Sequence, residues 1–115
     1  MKETKELVDN FMKLSKDDRY HVGFSALYCY ESMIPEIAEN KIDGLKKYYG
    51  AKNGEDTLKF FEVHQSADII HRQVIKDLIG DVCDTDEKKE EALEAIELAL
   101  SSLNNFLSGM ERVYC

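Results

Sequence analysis

The chain has 115 residues, of which 43% are hydrophobic, enough for one small globular domain with its own core. Its 6 glycines and 1 proline are too few for a many-turned β fold and favour long helices. The net charge of -8, with no basic patch, argues against nucleic acid or an anionic membrane as a partner.

Cysteine usage and hydropathy bear on where the protein acts. The chain has an odd number of cysteines, without CxxC spacing: Cys29, Cys83 and Cys115. A disulfide framework is therefore not expected, and we expect a cytoplasmic location. No apolar run approaches ~20 residues, so no membrane-spanning helix is predicted. The N-terminus lacks the apolar core of a signal peptide.

Apolar residues at helical spacing predict a first helix from Thr4 to about Ser15. The next segment is apolar on most sides, which predicts a central, buried helix. Pro35 lacks an N–H and clashes with the preceding turn, so a kink is predicted near Glu31. The pattern continues, with a possible new start after Asn40, and ends at Tyr49-Gly50.

Two further helices follow a loop from Gly50 to Gly54, and the last begins after Asp84 or Thr85. The sequence is therefore predicted to be all-α, with about four or five helices in a single domain over residues 1–115. The predicted core stripes of these two helices comprise Phe60, Phe61, Val63, Ala67, Ile70, Val74, Leu78 and Ile79 in one, and Leu93, Ile96, Leu100, Leu103, Phe106 and Leu107 in the other.

The strongest chemical signal is His64-x-x-x-Asp68-x-x-His71. At ~100° per residue, Asp68 and His71 lie about 40° and 20° to either side of His64, so all three share one helix face. Imidazole and carboxylate together suit iron, manganese or zinc. The alternative is that both histidines border the core and bond to backbone, with Asp68 paired to one of them or to Arg72; spacing alone leaves both readings open.

Glu31 lies in an otherwise apolar and aromatic run, where a buried carboxylate is costly unless it is paired or bound to metal. Its alternatives are an outward position or a salt bridge. Lys41 is a third candidate, although sequence physics alone favours a surface lysine. A tyrosine in such a run, like Tyr30, is more often a core residue than a catalytic one. We expect His21 at the surface or at the start of a helix. Cys29 could be a nucleophile, but the sequence shows no activating partner for it.

Several of these motifs resemble one family. They are Ala26-Leu-Tyr-Cys-Tyr-Glu31-Ser-Met-Ile-Pro35, Lys41-Ile-Asp-Gly44-Leu45, and Phe60-Phe-Glu-Val-His64 leading into Asp68-x-x-His71. The family is that of the chlamydial protein associating with death domains. It has the haem-oxygenase-like fold, which it shares with pyrroloquinoline quinone synthase and the thiaminase-like proteins.

The resemblance implies a helical bundle, usually dimeric, with a dinuclear iron or iron–manganese site and no organic cofactor. Glu31, His64, Asp68 and His71 fall on ligand positions of the family. Folate-related members are implicated in making para-aminobenzoate with dioxygen, from a tyrosine of their own and a lysine amine. In that scheme Lys41 falls on the lysine position.

Tyr30, directly before the ligand glutamate, falls on a tyrosine near the metal, whereas the tyrosine that supplies the ring belongs to the first half of the family domain. The chain departs from the family in length, because it resembles only the C-terminal half of the domain. Three explanations are open: a truncated product, a split enzyme with a complementing first-half chain, or a homo-oligomer that shares helices. A half-bundle would leave apolar faces of the second and fourth segments uncovered, which favours association.

The leading hypothesis is a metal-dependent oxygenase, or part of one, in para-aminobenzoate and folate synthesis. One alternative is a non-catalytic helical module that acts through protein association. Another is a thiaminase-like or pyrroloquinoline quinone synthase-like enzyme. Thiaminase-like enzymes use a cysteine nucleophile and lack the His-x-x-x-Asp-x-x-His helix. A pyrroloquinoline quinone synthase-like pocket needs residues from the missing half.

Overall fold

Five α-helices account for the architecture, in a computed structural model that describes all residues from 1 to 115. The all-α prediction is confirmed. The helices are α1 (Lys2–Ser15), α2 (Tyr20–Glu31), α3 (Ile34–Tyr49), α4 (Asp56–Val82) and α5 (Asp86–Tyr114). None of them is both long enough and apolar enough to cross a membrane.

Pro35 separates two helices instead of kinking one. Helix α2 ends at Glu31, and α3 begins at Ile34 with the proline in its first turn. The missing proline N–H costs nothing there, because the first N–H groups of a helix have no partner within it. The predicted kink is therefore wrong in form, and Glu31 occupies the last position of a helix. No new start follows Asn40, since α3 is continuous to Tyr49.

Two of the predicted helix ends have clear local causes. Gly50 has a left-handed backbone, with φ of 69°, and the N–H of the following Ala51 donates to the carbonyl oxygen of Leu45 at 3.2 Å, which closes α3. Thr85 is the N-cap of α5, and its hydroxyl accepts a hydrogen bond from the backbone N–H of Lys88 at 3.2 Å. Helix α5 continues through Ser108 and Gly109 to Tyr114.

The chain forms two compact units. The first comprises Met1–Cys29 and Ile75–Cys115, and in it α1 packs against α5. The approach is close, because a Cβ on Gly109 would lie 3.0 Å from Met1 Cε. Its hydrophobic core consists of Leu14, Val22, Ala26, Cys29, Ala95 and Ala99.

Small side chains, not the leucines, form the buried face of α5. Ala99 is 1% exposed, whereas Leu93 is 64% exposed. The predicted leucine stripe of this helix is therefore wrong for Leu93, Leu100 and Leu107, all of which are exposed. Ala95 and Ala99 pack in one core with residues of α1 and α2, so this face of α5 is the covered one. The buried residues of α5 are Ala92, Ala95, Ala99, Ser102 and Gly109.

The second unit comprises Tyr30–Val74 and contains the end of α2, all of α3 and most of α4. Pro35, Ala38, Ile42 and Leu58 are buried in it. An apolar stripe on α4, predicted to be core, lies at the surface instead. We call Phe60, Val63, Ala67, Ile70 and Val74 the α4 stripe; all but the half-buried Ala67 are exposed. The prediction of one domain over residues 1–115 stays a prediction.

Candidate metal centre

Glu31, Asp68 and His71 meet in the second unit. His71 Nδ1 lies 3.1 Å from Asp68 Oδ1 and 3.4 Å from Glu31 Oε2. Helix geometry brings Asp68 and His71 together, because residues three apart on α4 are neighbours on its surface. Glu31 reaches them from the end of α2, and one ligand atom from each of the three residues lies within 4.8 Å of the others.

One carboxylate oxygen of this cluster is unsatisfied. Glu31 Oε2 is buried and has no hydrogen-bond partner. The side chain of Asp68 is only 5% exposed, whereas that of His71 is 55% exposed. A buried acceptor without a donor, beside a second buried carboxylate, is an unfavourable arrangement unless a positive charge neutralises it.

A divalent cation fits this arrangement. Two carboxylates and one imidazole are ligands for iron, manganese or zinc. With metal–ligand distances near 2.1 Å, neighbouring ligand atoms lie about 3.0–3.4 Å apart, which matches the 3.1 Å and 3.4 Å separations around His71 Nδ1. The orphaned Glu31 oxygen is the group that such an ion would satisfy.

Arg72 does not pair with Asp68, which was one branch of the alternative interpretation of the motif. The other branch, in which a histidine bonds to backbone and Asp68 pairs with a histidine, agrees with the contacts His64 Nδ1–Phe60 O at 2.7 Å and His71 Nδ1–Asp68 Oδ1 at 3.1 Å.

Arg72 Nη1 pairs with Glu36 Oε1 at 3.0 Å and donates to the backbone carbonyl of Ser32 at 3.2 Å. The hydrogen bond from Arg72 holds the pKa of the Glu36 carboxyl below its usual value. Arg72 therefore ties the turn that follows Glu31 to the helix that carries Asp68 and His71.

His64 shares the face of Asp68 and His71, but the structure does not bring it into their cluster. Its Nδ1 lies 2.7 Å from the carbonyl oxygen of Phe60, one turn earlier in the same helix. Its ring stacks on that of Phe60, with centroids 4.1 Å apart and an angle of 29° between the planes. Its predicted role as a metal ligand stays a prediction.

The two residues predicted to be catalytic lie outside the cluster. Tyr30 directly precedes Glu31 at the end of α2, and Lys41 lies in α3; both are exposed. Exposure of Lys41 agrees with the surface position that sequence physics favoured. The catalytic roles of Tyr30 and Lys41 stay predictions.

A second polar cluster, in the first unit, went unrecognised in the sequence. His21 is buried, not at the surface as predicted, and its Nε2 lies 3.4 Å from Glu91 Oε1. Arg19 forms ion pairs with both Glu91 and Asp17 and holds the pKa of each carboxyl below its usual value. Asp18 and His21 have the same Asp-x-x-His spacing as Asp68 and His71, but this local signal does not indicate burial.

Cys29 lacks the environment of a nucleophile. It is part of the core of the first unit, and burial raises the pKa of its thiol. Its Sγ lies 3.9 Å from the carbonyl oxygen of Ile96, a weak hydrogen bond in which the thiol is the donor. A protonated core thiol argues against the thiaminase-like alternative, whose chemistry needs a reactive cysteine.

The fold and the site together define an all-helical protein with a cluster suited to a transition metal. A family model described as "Iron-containing redox enzyme" matches residues 1–103. The chain belongs to this family, and the family's iron agrees with the donor set of Glu31, Asp68 and His71.

Three proteins that this chain is similar to are each named 4-aminobenzoate synthase. A protein of Nitrosomonas europaea named 4-aminobenzoate synthase is 42% identical over 113 residues, which are 98% of this chain and 46% of that protein. A 4-aminobenzoate synthase of Chlamydia trachomatis is 42% identical over 105 residues, or 91% of this chain and 44% of the relative. One of Chlamydia pneumoniae is 35% identical over 104 residues, with 90% and 45% covered. The chain thus spans a little under half the length of these relatives.

Proposed function

We propose that this chain is the metal-binding part of an iron-dependent oxygenase that makes 4-aminobenzoate. The observation that carries the proposal is the convergence of Asp68 and Glu31 oxygens on His71 Nδ1, with Glu31 Oε2 buried and unsatisfied. Membership of the iron-containing redox family and the name shared by its relatives support the reaction.

In this proposal Glu31, Asp68 and His71 hold the ion. Iron bound there would supply the one-electron redox chemistry that a reaction with dioxygen requires. Asp68 is shielded from solvent, which strengthens its attraction to a cation. His71 is the exposed member, so the cluster is open on its side, where dioxygen and the reacting groups could approach.

The number of donors in the cluster bears on how many ions it could hold. Three side chains that could act as ligands suit one ion with open positions. A di-iron or iron–manganese pair, which the family resemblance implies, needs donors beyond these three. We therefore propose one ion at the Glu31–Asp68–His71 cluster, with any second ion dependent on ligands supplied by another chain or segment.

Lys41 and Tyr30 are the further residues of this chain in the proposed reaction, in which the ring comes from a tyrosine outside this chain's part of the family domain. Lys41 would provide the amine of 4-aminobenzoate, and Tyr30, directly before a ligand, would lie next to the oxidising site. The exposure of Lys41 leaves its amine accessible for transfer. Both assignments come from the positions of these residues in motifs that resemble the family.

Metal analysis of the purified chain tests the proposal. The wild-type chain is expected to hold ferrous iron under anaerobic conditions, and the double variant Asp68→Ala, His71→Ala is expected to lose it. The matched control Asp81→Ala, which removes an exposed carboxylate of the same helix, should retain it. Full iron occupancy in the double variant would refute the proposed site.

A further inference from the structure

His21 is a buried histidine that the proposed function does not use. It lies in the first turn of α2, and its side chain is only 8% exposed. Its Nε2 is buried and has no hydrogen-bond partner. Nearly all buried polar atoms of folded proteins are hydrogen-bonded, so each exception needs an explanation, and a bound ion is one of them.

Glu91 on α5 provides a second donor atom beside this nitrogen. Its Oε1 lies 3.4 Å from His21 Nε2, which exceeds the usual range of about 2.7–3.2 Å for a hydrogen bond from nitrogen to oxygen. Two atoms that bind one ion at about 2.0–2.2 Å lie about 3.0–3.4 Å apart. The separation therefore suits an ion between His21 and Glu91 better than a direct bond.

The charges around this pair favour a cation over an anion. Both neighbouring cations are already neutralised, because Arg19 pairs with two carboxylates and Lys88 pairs with Asp84 at 2.7 Å. Carboxylates outnumber these cations by four to two, so the surroundings of His21 carry net negative charge. The four carboxylates are Asp17, Asp18, Asp84 and Glu91.

Arg19 prepares Glu91 for the role of a ligand. The guanidinium pairs with Glu91 Oε2 and leaves Oε1 on the side of His21. This contact holds the pKa of the Glu91 carboxyl below its usual value, so the group is ionised at neutral pH. Hydrogen bonds of this kind to the second oxygen of a carboxylate commonly orient metal ligands.

A cavity of about 350 Å³ adjoins His21 and offers the remaining ligands. It lies entirely in the first unit, between the beginning of α2 and the turn from α4 to α5. Asp18 and Asp84 line it, and it is large enough for several waters. Carboxylate oxygens and water commonly complete a coordination shell that imidazole begins.

We propose that His21 and Glu91 bind a divalent ion of the zinc class, at a site separate from the Glu31–Asp68–His71 cluster. Nitrogen and oxygen donors generally bind zinc more tightly than ferrous iron, so the two sites differ in the ion they favour. The ion joins the first turn of α2 to α5 and so stabilises the first unit. This inference does not depend on the proposed function.

Zinc binding by the variant Asp68→Ala, His71→Ala tests the inference, because this variant lacks the other cluster. Titration with Zn²⁺ against a chromophoric chelator should show one zinc equivalent. Adding His21→Gln or Glu91→Gln should weaken binding at least about tenfold. Glu97→Gln, which neutralises an exposed carboxylate of α5, is the matched control and should leave the affinity unchanged.

Nitrogen NMR of the imidazole rings keeps the test decisive if a substitution at buried His21 disturbs folding. The variant Asp68→Ala, His71→Ala retains two of the three histidines, His21 and His64. Adding His64→Ala assigns their signals. One equivalent of Zn²⁺ should shift the Nε2 signal of His21, and in thermal unfolding it should raise the melting temperature.

Three results would overturn the inference. They are the absence of zinc binding, an affinity that His21→Gln leaves unchanged, and a His21 signal that zinc does not shift. Each would identify the contact between His21 and Glu91 as an ion pair without metal. None of them bears on iron at the Glu31–Asp68–His71 cluster, which the metal analysis of the wild-type chain tests separately.

Discussion

Asp68 Oδ1 lies 3.1 Å from His71 Nδ1, on consecutive turns of one helix. The contact joins a buried carboxylate to an exposed imidazole, so the pair spans the boundary between the interior of its unit and solvent. Glu31 adds a second carboxylate to the same nitrogen. This arrangement leaves one buried carboxylate oxygen, Glu31 Oε2, without a hydrogen-bond partner.

Glu31→Gln should stabilise the metal-free chain while abolishing its stabilisation by iron. The buried Oε2 has no hydrogen-bond partner, and an amide removes the charge that makes its burial unfavourable, for a gain of about 1 kcal/mol. Thermal unfolding with and without ferrous iron measures both effects. A metal-free variant less stable than wild type would show that the carboxylate is satisfied without metal.

Arg72→Ala should weaken iron binding by about tenfold without unfolding the chain, because Arg72 positions the turn that carries Glu31. Glu36→Gln breaks only the ion pair and keeps the bond to the Ser32 carbonyl, so its effect should be smaller. Chelator competition measures the affinity. Arg72→Lys should recover part of it, and Lys76→Ala, an exposed cation on α4, should have no effect. Equal losses in Glu36→Gln and Arg72→Ala would assign the role to the ion pair alone.

Arg19→Gln should lower stability near neutral pH and have a diminishing effect in acid. Arg19 lowers the folded-state pKa of Asp17 and Glu91 from ordinary values of 3.8 and 4.5. A carboxyl with a lowered pKa stabilises the fold above its ordinary value, and this contribution is lost as pH falls through the folded value.

The difference in melting temperature between wild type and Arg19→Gln should therefore shrink from about pH 5 towards about pH 2. Lys13→Gln, which removes an exposed charge from the last turn of α1, provides the control. A difference that is constant over this range would show that the two carboxylates are not the source of the effect.

Ala99→Leu should destabilise the chain by about 1–3 kcal/mol, because Ala99 is fully enclosed and a larger side chain overpacks the core. Leu93→Ala on the same helix should change stability by less than about 0.5 kcal/mol, since Leu93 is exposed. Urea unfolding measures both. The opposite ranking would mean that the leucine face of α5 is the buried one.

Local features of the site could be predicted from the sequence alone. Asp68 and His71 meet because a helix makes residues three apart neighbours, whatever surrounds it. The all-α class, the end of α3 at Gly50 and the cap at Thr85 also follow from local backbone chemistry. The sequence predicted the position of the irregularity at Pro35 but not its type. A kink was predicted and a break between two helices was found, because a proline fits either a kink or the first turn of a helix.

Features that depend on distant segments were decided by tertiary structure. Periodicity shows that α4 and α5 each have an apolar face, but burial depends on which element covers that face and how closely. On α5 the face covered by α1 and α2 carries alanine and not leucine, and on α4 the apolar stripe stayed exposed. Only tertiary structure brought Glu31 to His71, since helical spacing cannot place a residue that lies forty positions earlier in the chain.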